Sequence, residues 1–235
     1  MLLATRFRVA PQLRTAIRSF TTLPSNPNIK VFPQPNNPKS YILSLLPTTP
    51  PSPALSIGTT TSLPPTPQSF TTNPHFLSIL NAVLTEHAYS DPGLQSQAQA
   101  FASPAGFSFL PGSAGSKPGG AGRRLGKKGN DTGAGGASAE GGAGGAGRGG
   151  WVHLSDERTP VDFGRIAWPE DIFGSVEVDG QGKILEGTFQ GSGTYRVVTN
   201  QGILGLSPFL MEKLVARLRE EEVKEKEKEK EKEKA

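Results

Sequence analysis

No cysteine occurs among the 235 residues of this chain. That absence excludes disulfides, thiolate nucleophiles, iron–sulfur clusters and zinc sites built on Cys. Apolar residues are also few, 34% of the chain. An ordinary globular sequence holds roughly 45–50%, Gly included, so much of the length cannot be packed core. No run approaches the ~18 consecutive apolar residues that span a bilayer, which predicts no transmembrane segment. No apolar core of the kind a secretory signal needs stands near the N-terminus.

What is present is distributed unevenly. The formal charge is +4, and it is local. Residues 1–20 carry Arg6, Arg8, Arg14 and Arg18 and no acid. Leu3, Phe7, Ala10, Leu13 and Ile17 recur at helical spacing in the same stretch, with Pro11 as an interruption. Arg18-Ser19-Phe20 before Thr21-Thr22 resembles a matrix-protease cleavage site. Residues 1–20 therefore read as a mitochondrial presequence. Its partners would be the import and processing machinery, and its destination the matrix. The remainder of the chain has no net charge, so DNA is not an expected partner.

Residues 27–104 form the N-terminal part of an expected folded domain. Ile29–Phe32 and Tyr41–Leu46 are short apolar runs bounded by Pro and Asn, as strands are. Leu55-Ser56-Ile57 is a candidate third strand. The Pro-dense stretches 47–53 and 63–67 read as extended connections. Asn73 and Pro74 are a cap and a first helical residue. Phe76, Ile79, Leu80, Val83, Leu84 and His87 then mark one helix face. A weaker helix is expected over 94–102.

Residues 111–150 are Gly, Ala and Ser in low complexity. They read as a disordered insertion, since such a sequence cannot bury enough apolar surface to offset its entropy. The cluster Arg123, Arg124, Lys127, Lys128 lies within it. It is a candidate contact for RNA or anionic lipid, though without an aromatic for stacking.

Residues 151–222 form the C-terminal part. A hairpin is expected over 173–190, turning at Asp179-Gly180-Gln181-Gly182. A further strand is expected over Thr194–Thr199, then a helix capped by Ser207 with Pro208 at its start. Leu210, Leu214 and Leu218 would be its buried stripe. The Lys/Glu tail 223–235 alternates charge, so i,i+4 repulsion opposes i,i+3 attraction. It is either a frayed extension of that helix or disordered. The fold class is α+β: a small antiparallel sheet with two or three helices, interrupted by a Gly-rich insertion. A single domain built from both parts is favoured, since each alone is marginal in size.

Familiar motifs are incomplete. Asp162-Phe163-Gly164 spells a kinase metal motif, but the Gly-rich loop, strand lysine and catalytic His-Arg-Asp are missing. Ala121–Lys128 lacks the first Gly and the hydroxyl of a phosphate loop. Neither a cofactor nor a metal is implied, since His75, His87 and His153 would have to be gathered from separate elements.

The densest chemistry lies between Trp151 and Asp171, which holds both tryptophans, His153, Asp156, Glu157, Arg158, Asp162, Arg165 and Trp168. Three uses remain open. His153 with Asp156, Glu157 or Asp162 suits acid–base catalysis by a small hydrolase or lyase. Trp151, Asp156, Glu157, Arg158, Asp162, Arg165 and Trp168 suit a partner-binding surface. A structured loop with locally paired charges is the third.

His153–Arg158, Pro160, Asp162–Ile166 and Pro169–Val176, with Thr194-Tyr195-Arg196, Thr199 and Gly202, resemble an uncharacterised family of fungal mitochondrial proteins. Tyr41–Pro47 and the region from Pro64 to Leu84 continue the likeness. The resemblance implies a mitochondrial address and transfers no reaction. The expected function is a non-enzymatic accessory or protein-interaction factor with a mitochondrial protein partner.

Overall fold

The computed structural model describes residues 20–34, 37–102, 149–161 and 166–234. The chain is α+β, as expected, and among the described residues it holds three α-helices and antiparallel sheets of five, three and two strands.

The first sheet is a meander in chain order: β1 (Thr21–Leu23), β2 (Asn26–Gln34), β3 (Asn37–Ser44), β4 (Gly58–Thr60) and β5 (Phe70–Thr72). Ile29, Val31 and Leu43 turn inward to the core. Phe32 and Ile42, paired across β2 and β3, are buried on the other face, where Phe20 lies 5.4 Å from Phe32. The domain thus begins before residue 27, with β1. The expected strand at Leu55–Ile57 falls three residues later, at Gly58–Thr60. Gly58 opens β4 because a Cβ there would stand 2.2 Å from the Thr71 carbonyl oxygen. Only Gly permits that approach.

Helix α1 (Pro74–His87) follows β5, with the Asn73 side chain accepting the His75 N–H at 3.0 Å. Phe76, Ile79, Leu80, Val83 and Leu84 are buried, as their spacing predicts. His87 is partly exposed beside Glu86. Helix α2 (Pro92–Ala102) starts on Asp91, whose carboxylate accepts the Leu94 N–H at 2.9 Å.

The second sheet orders β6 (Gly150–Ser155), β7 (Ile172–Val178) and β8 (Gln190–Gly191), so among the described residues β6 has a strand partner on one side only. Gly150 therefore belongs to the folded part and not to the insertion, the rest of which up to residue 148 lies outside the described residues. The basic cluster at 123–128 lies outside them too.

The expected return strand over 183–190 is not continuous. Only Ile184 bridges back to Val178 before β8. The Thr188 hydroxyl takes the Glu177 N–H at 3.1 Å, where a strand would offer a carbonyl. The expected strand over 194–199 shrinks to β9 (Val198–Thr199), paired with β10 (Gly202–Ile203). The Arg196 carbonyl is bound by a side chain instead, and the Val197 carbonyl takes both the Leu204 N–H at 2.9 Å and the same side chain.

Helix α3 (Pro208–Lys234) closes the chain and includes the Lys/Glu stretch, which continues the helix to its end. Ion pairs Lys224–Glu221 at 2.9 Å and Lys226–Glu222 at 2.9 Å line it. Leu210, Leu214 and Leu218 are buried as expected. They join Phe76, Leu80 and Leu84 of α1 and Val152, Leu154 and Val176 of the second sheet in a single cluster. The two sequence segments thus occupy separate sheets and share that core. Polar links cross between them as well. The Ser207 hydroxyl donates to Asp91, and Asn26 Nδ2 donates to the Leu204 carbonyl at 2.9 Å.

Candidate functional site

The loop leaving β6 is built around Arg158. Its side chain is 3% exposed and surrounded by acceptors. Nε donates to Asp171 Oδ1 at 2.8 Å. Nη1 donates to the carbonyls of Val197 at 3.0 Å and Gly202 at 3.4 Å. Nη2 donates to the carbonyls of Glu170 at 3.2 Å and Arg196 at 2.7 Å, and lies 3.3 Å from Asp156 Oδ2. The planar fork of Arg suits this multiple contact. Tyr195 lies under the guanidinium, 5.4 Å from its ring centroid, and its ring is 4.4 Å from that of Phe173.

Asp156 is equally enclosed. Oδ1 accepts the N–H groups of Arg158 and Gly205, each at 2.9 Å, and Oδ2 accepts the Tyr195 hydroxyl at 2.9 Å. Gly205 is required here, since a Cβ would come within 2.8 Å of the Arg158 nitrogen. Two carboxylates face one guanidinium. Burial pushes Asp156 up to about 6, against the opposing pull of Arg158 and its hydrogen bonds. Burial, then the Asp156 charge, raises Tyr195 well above its ordinary value.

This knot corrects the expectation that Asp156 and Arg158 face a partner. Both are spent inside the protein. Their work is to fasten the loop: Arg158 near its start grips Asp171 at its end.

The same loop carries the surface feature. Val161 is 39% exposed, Ile166 44% and Trp168 68%. These are three of the six exposed large apolar residues among those described, gathered within eight positions. Trp168 is the most exposed of the three, and Glu157 is exposed as well. Trp151 is half-buried on β6. Asp162 and Arg165 lie outside the described residues.

Beside the patch runs a groove of about 650 Å³. Its walls include Leu94 and Phe101 of α2, residues 152–157 of β6 and its exit, and Val161 and Ile166. Asp91 and Glu157 also line it. Glu157 is raised above its ordinary value by burial and then by the Asp91 charge.

His153 lines the groove but meets no carboxylate among the described residues. Its Nδ1 lies 2.7 Å from Ser175 Oγ, the cross-strand neighbour on β7. Desolvation lowers its pKa. Asp156, committed to Arg158 and Tyr195, is unavailable to it. The expected acid–base pairing of His153 with Asp156 is therefore not assembled, nor is one with Glu157. Among the described residues no group of three His, Asp or Glu side chains is placed to hold a metal ion.

Sequence reasoning missed Tyr195, Gly205 and Ser175 as members of this region. Ser175 was within reach, since pairing β6 with β7 sets it opposite His153. No family model, curated protein or solved structure matches this chain.

Proposed function

We propose that this chain is a non-enzymatic accessory factor of the mitochondrial matrix that docks a protein partner through Val161, Ile166, Trp168 and the adjoining groove. The observation that carries it is the concentration of exposed apolar side chains on a loop whose ends are locked by buried ion pairs. Large aromatic side chains on a preorganised surface are the usual centres of binding energy, and a free loop would lose part of that energy in ordering. The partner segment is apolar and carries a basic residue, matching Asp91 and Glu157 in the groove.

The matrix address is carried by Arg6, Arg8, Arg14 and Arg18. Cleavage after Phe20 leaves Thr21, the first residue of β1, at the new N-terminus. The likeness to fungal mitochondrial proteins supports the same address.

The test is proximity labelling in intact mitochondria, with the native chain against the double variant Ile166→Ser, Trp168→Ala. Both side chains are exposed, so thermal unfolding should be little changed. A specific labelled protein is lost in the variant if the patch docks it. An unchanged set of labelled proteins would sink the proposal. Replacing the four N-terminal arginines by Gln should leave the chain outside the matrix.

A further inference from the structure

The groove is bordered by consecutive residues of β6. Side chains of a strand alternate between faces, so a cavity touching Val152, His153 and Leu154 in succession runs along the strand's edge and not across one face. The backbone says the same. On β7, Glu177 gives its N–H to Thr188 and its carbonyl accepts the Leu185 N–H, and the Phe173 carbonyl accepts the Ser192 N–H. The odd-numbered residues of β7 therefore point toward β8. In an antiparallel ladder the two main-chain groups of a residue point to one side. The ladder to β6 is then made by Gly174, Val176 and Val178, with partners Leu154, Val152 and Gly150.

It follows that Trp151 and His153 direct their N–H and C=O groups away from β7, at the free edge. None of these groups has a hydrogen-bond partner among the described residues. Exposed edges of this kind are templates for another strand. Helix α2, with Leu94 and Phe101 toward the groove, supplies an apolar wall opposite.

We infer that the groove takes a partner peptide in extended form, which adds to the second sheet as a strand beside β6. Main-chain hydrogen bonds to Trp151 and His153 hold it, alternate apolar side chains enter the space under α2, and a Lys or Arg at one end meets Asp91 and Glu157. This mode of recognition draws affinity from the backbone and selectivity from the pockets. The basic residue follows from charge: Arg158 is shared between Asp156 and Asp171, and the exposed Glu157 and the buried Asp91 near it have no cation within ion-pair distance among the described residues. The inference rests on the protein-interaction function proposed above and names the partner's form.

The test uses the full chain after residue 20 and a positional library of acetylated heptapeptides. Selected binders should carry Lys or Arg at one end. Methylating alternate peptide amides should weaken binding at least tenfold in one register and less than twofold in the other. Amide exchange at Trp151 and His153 should slow at least tenfold in the complex. His153→Pro removes one outward N–H, a change that edge strands tolerate. It should lose binding tenfold or more, with folding checked by thermal unfolding, while His153→Ala keeps the amide and stays within threefold.

Failure to select any binder, or binders indifferent to methylation in both registers, would overturn strand addition. So would amides already protected in the free chain. If deletion of 105–147 then exposed them, the occupant would be this chain itself; if dilution exposed them, a second copy. Loss of a labelled partner in the Ile166→Ser, Trp168→Ala variant together with methylation-indifferent binding would keep the docking function and discard the strand.

Discussion

The two halves of the fold are held by different physics. In the meander β1–β5, neighbours in sequence are neighbours in space. Its stability comes from apolar side chains such as Ile29, Leu43 and Ile57, all fully buried. In the β6–β10 half only β6 and β7 form a long pair, the other strands are two residues each, and a charged residue sits at its organising point. There the guanidinium of Arg158 takes the Arg196 carbonyl, which has no sheet partner, and joins the Leu204 N–H on the Val197 carbonyl. The difference teaches that a region poor in regular ladders can still be fixed, provided that its buried polar groups are hydrogen-bonded.

The comparison breaks most sharply at Arg158. Arg158→Ala leaves Asp156 and Asp171 buried without their cation, and stability should fall by about 3–5 kcal/mol. Urea unfolding measures this, and amide exchange should show the loss concentrated in β6–β10. A loss under 1 kcal/mol would mean that the knot is ornamental.

Next in size is a pH effect. The folded-state value of Asp156, about 6, lies above its ordinary 3.8. Between these values the folded state holds the proton more tightly than the unfolded state does. This group's contribution therefore declines as pH rises through the window and is level above it. The decline should be of order 2 kcal/mol. Comparing wild type with Asp156→Asn at pH 4.5 and pH 7 isolates it, since only the wild type should show this component.

A smaller effect is expected at Ser207. Ser207→Ala removes the α3 cap, whose oxygen accepts the Leu210 N–H at 3.3 Å, and the link to Asp91. About 1 kcal/mol should be lost, felt in both halves. Smallest of all, Lys226→Ala breaks an exposed pair on the helical tail and should change stability by less than about 0.5 kcal/mol. Thermal unfolding resolves both, and the ratio between them tests whether long-range polar links outweigh local ones.

The same contrast explains what could be read from the sequence. The α+β class, α1, α2 and the buried stripe of α3 were all legible, because periodicity and caps are local signals. So were β2 and β3. The hairpin after β7 and the strand at 194–199 were overestimated. Their fates depend on Thr188 turning its hydroxyl inward and on Arg158 reaching residues 38 to 44 positions away. No local pattern encodes either event. Trp168 was singled out in the sequence by its type and company, and it stands exposed at the surface. Asp156 and Arg158 were not legible as internal, since a run of charge on a loop reads as solvated until its distant partners are placed.

The Asp91–Ser207 hydrogen bond joins residues 116 positions apart, and it sets an order in time. Hairpins of the meander can close as soon as their strands exist. The start of α2 shares its capping carboxylate with the start of α3, the last element of the chain. Residues near the C-terminus must therefore arrive before the earlier half can bury Leu84 against Leu214. Contacts between such distant positions slow folding relative to local ones. A chain made or threaded from its N-terminus would hold its first segment incomplete, its apolar faces open, until nearly all of it had emerged.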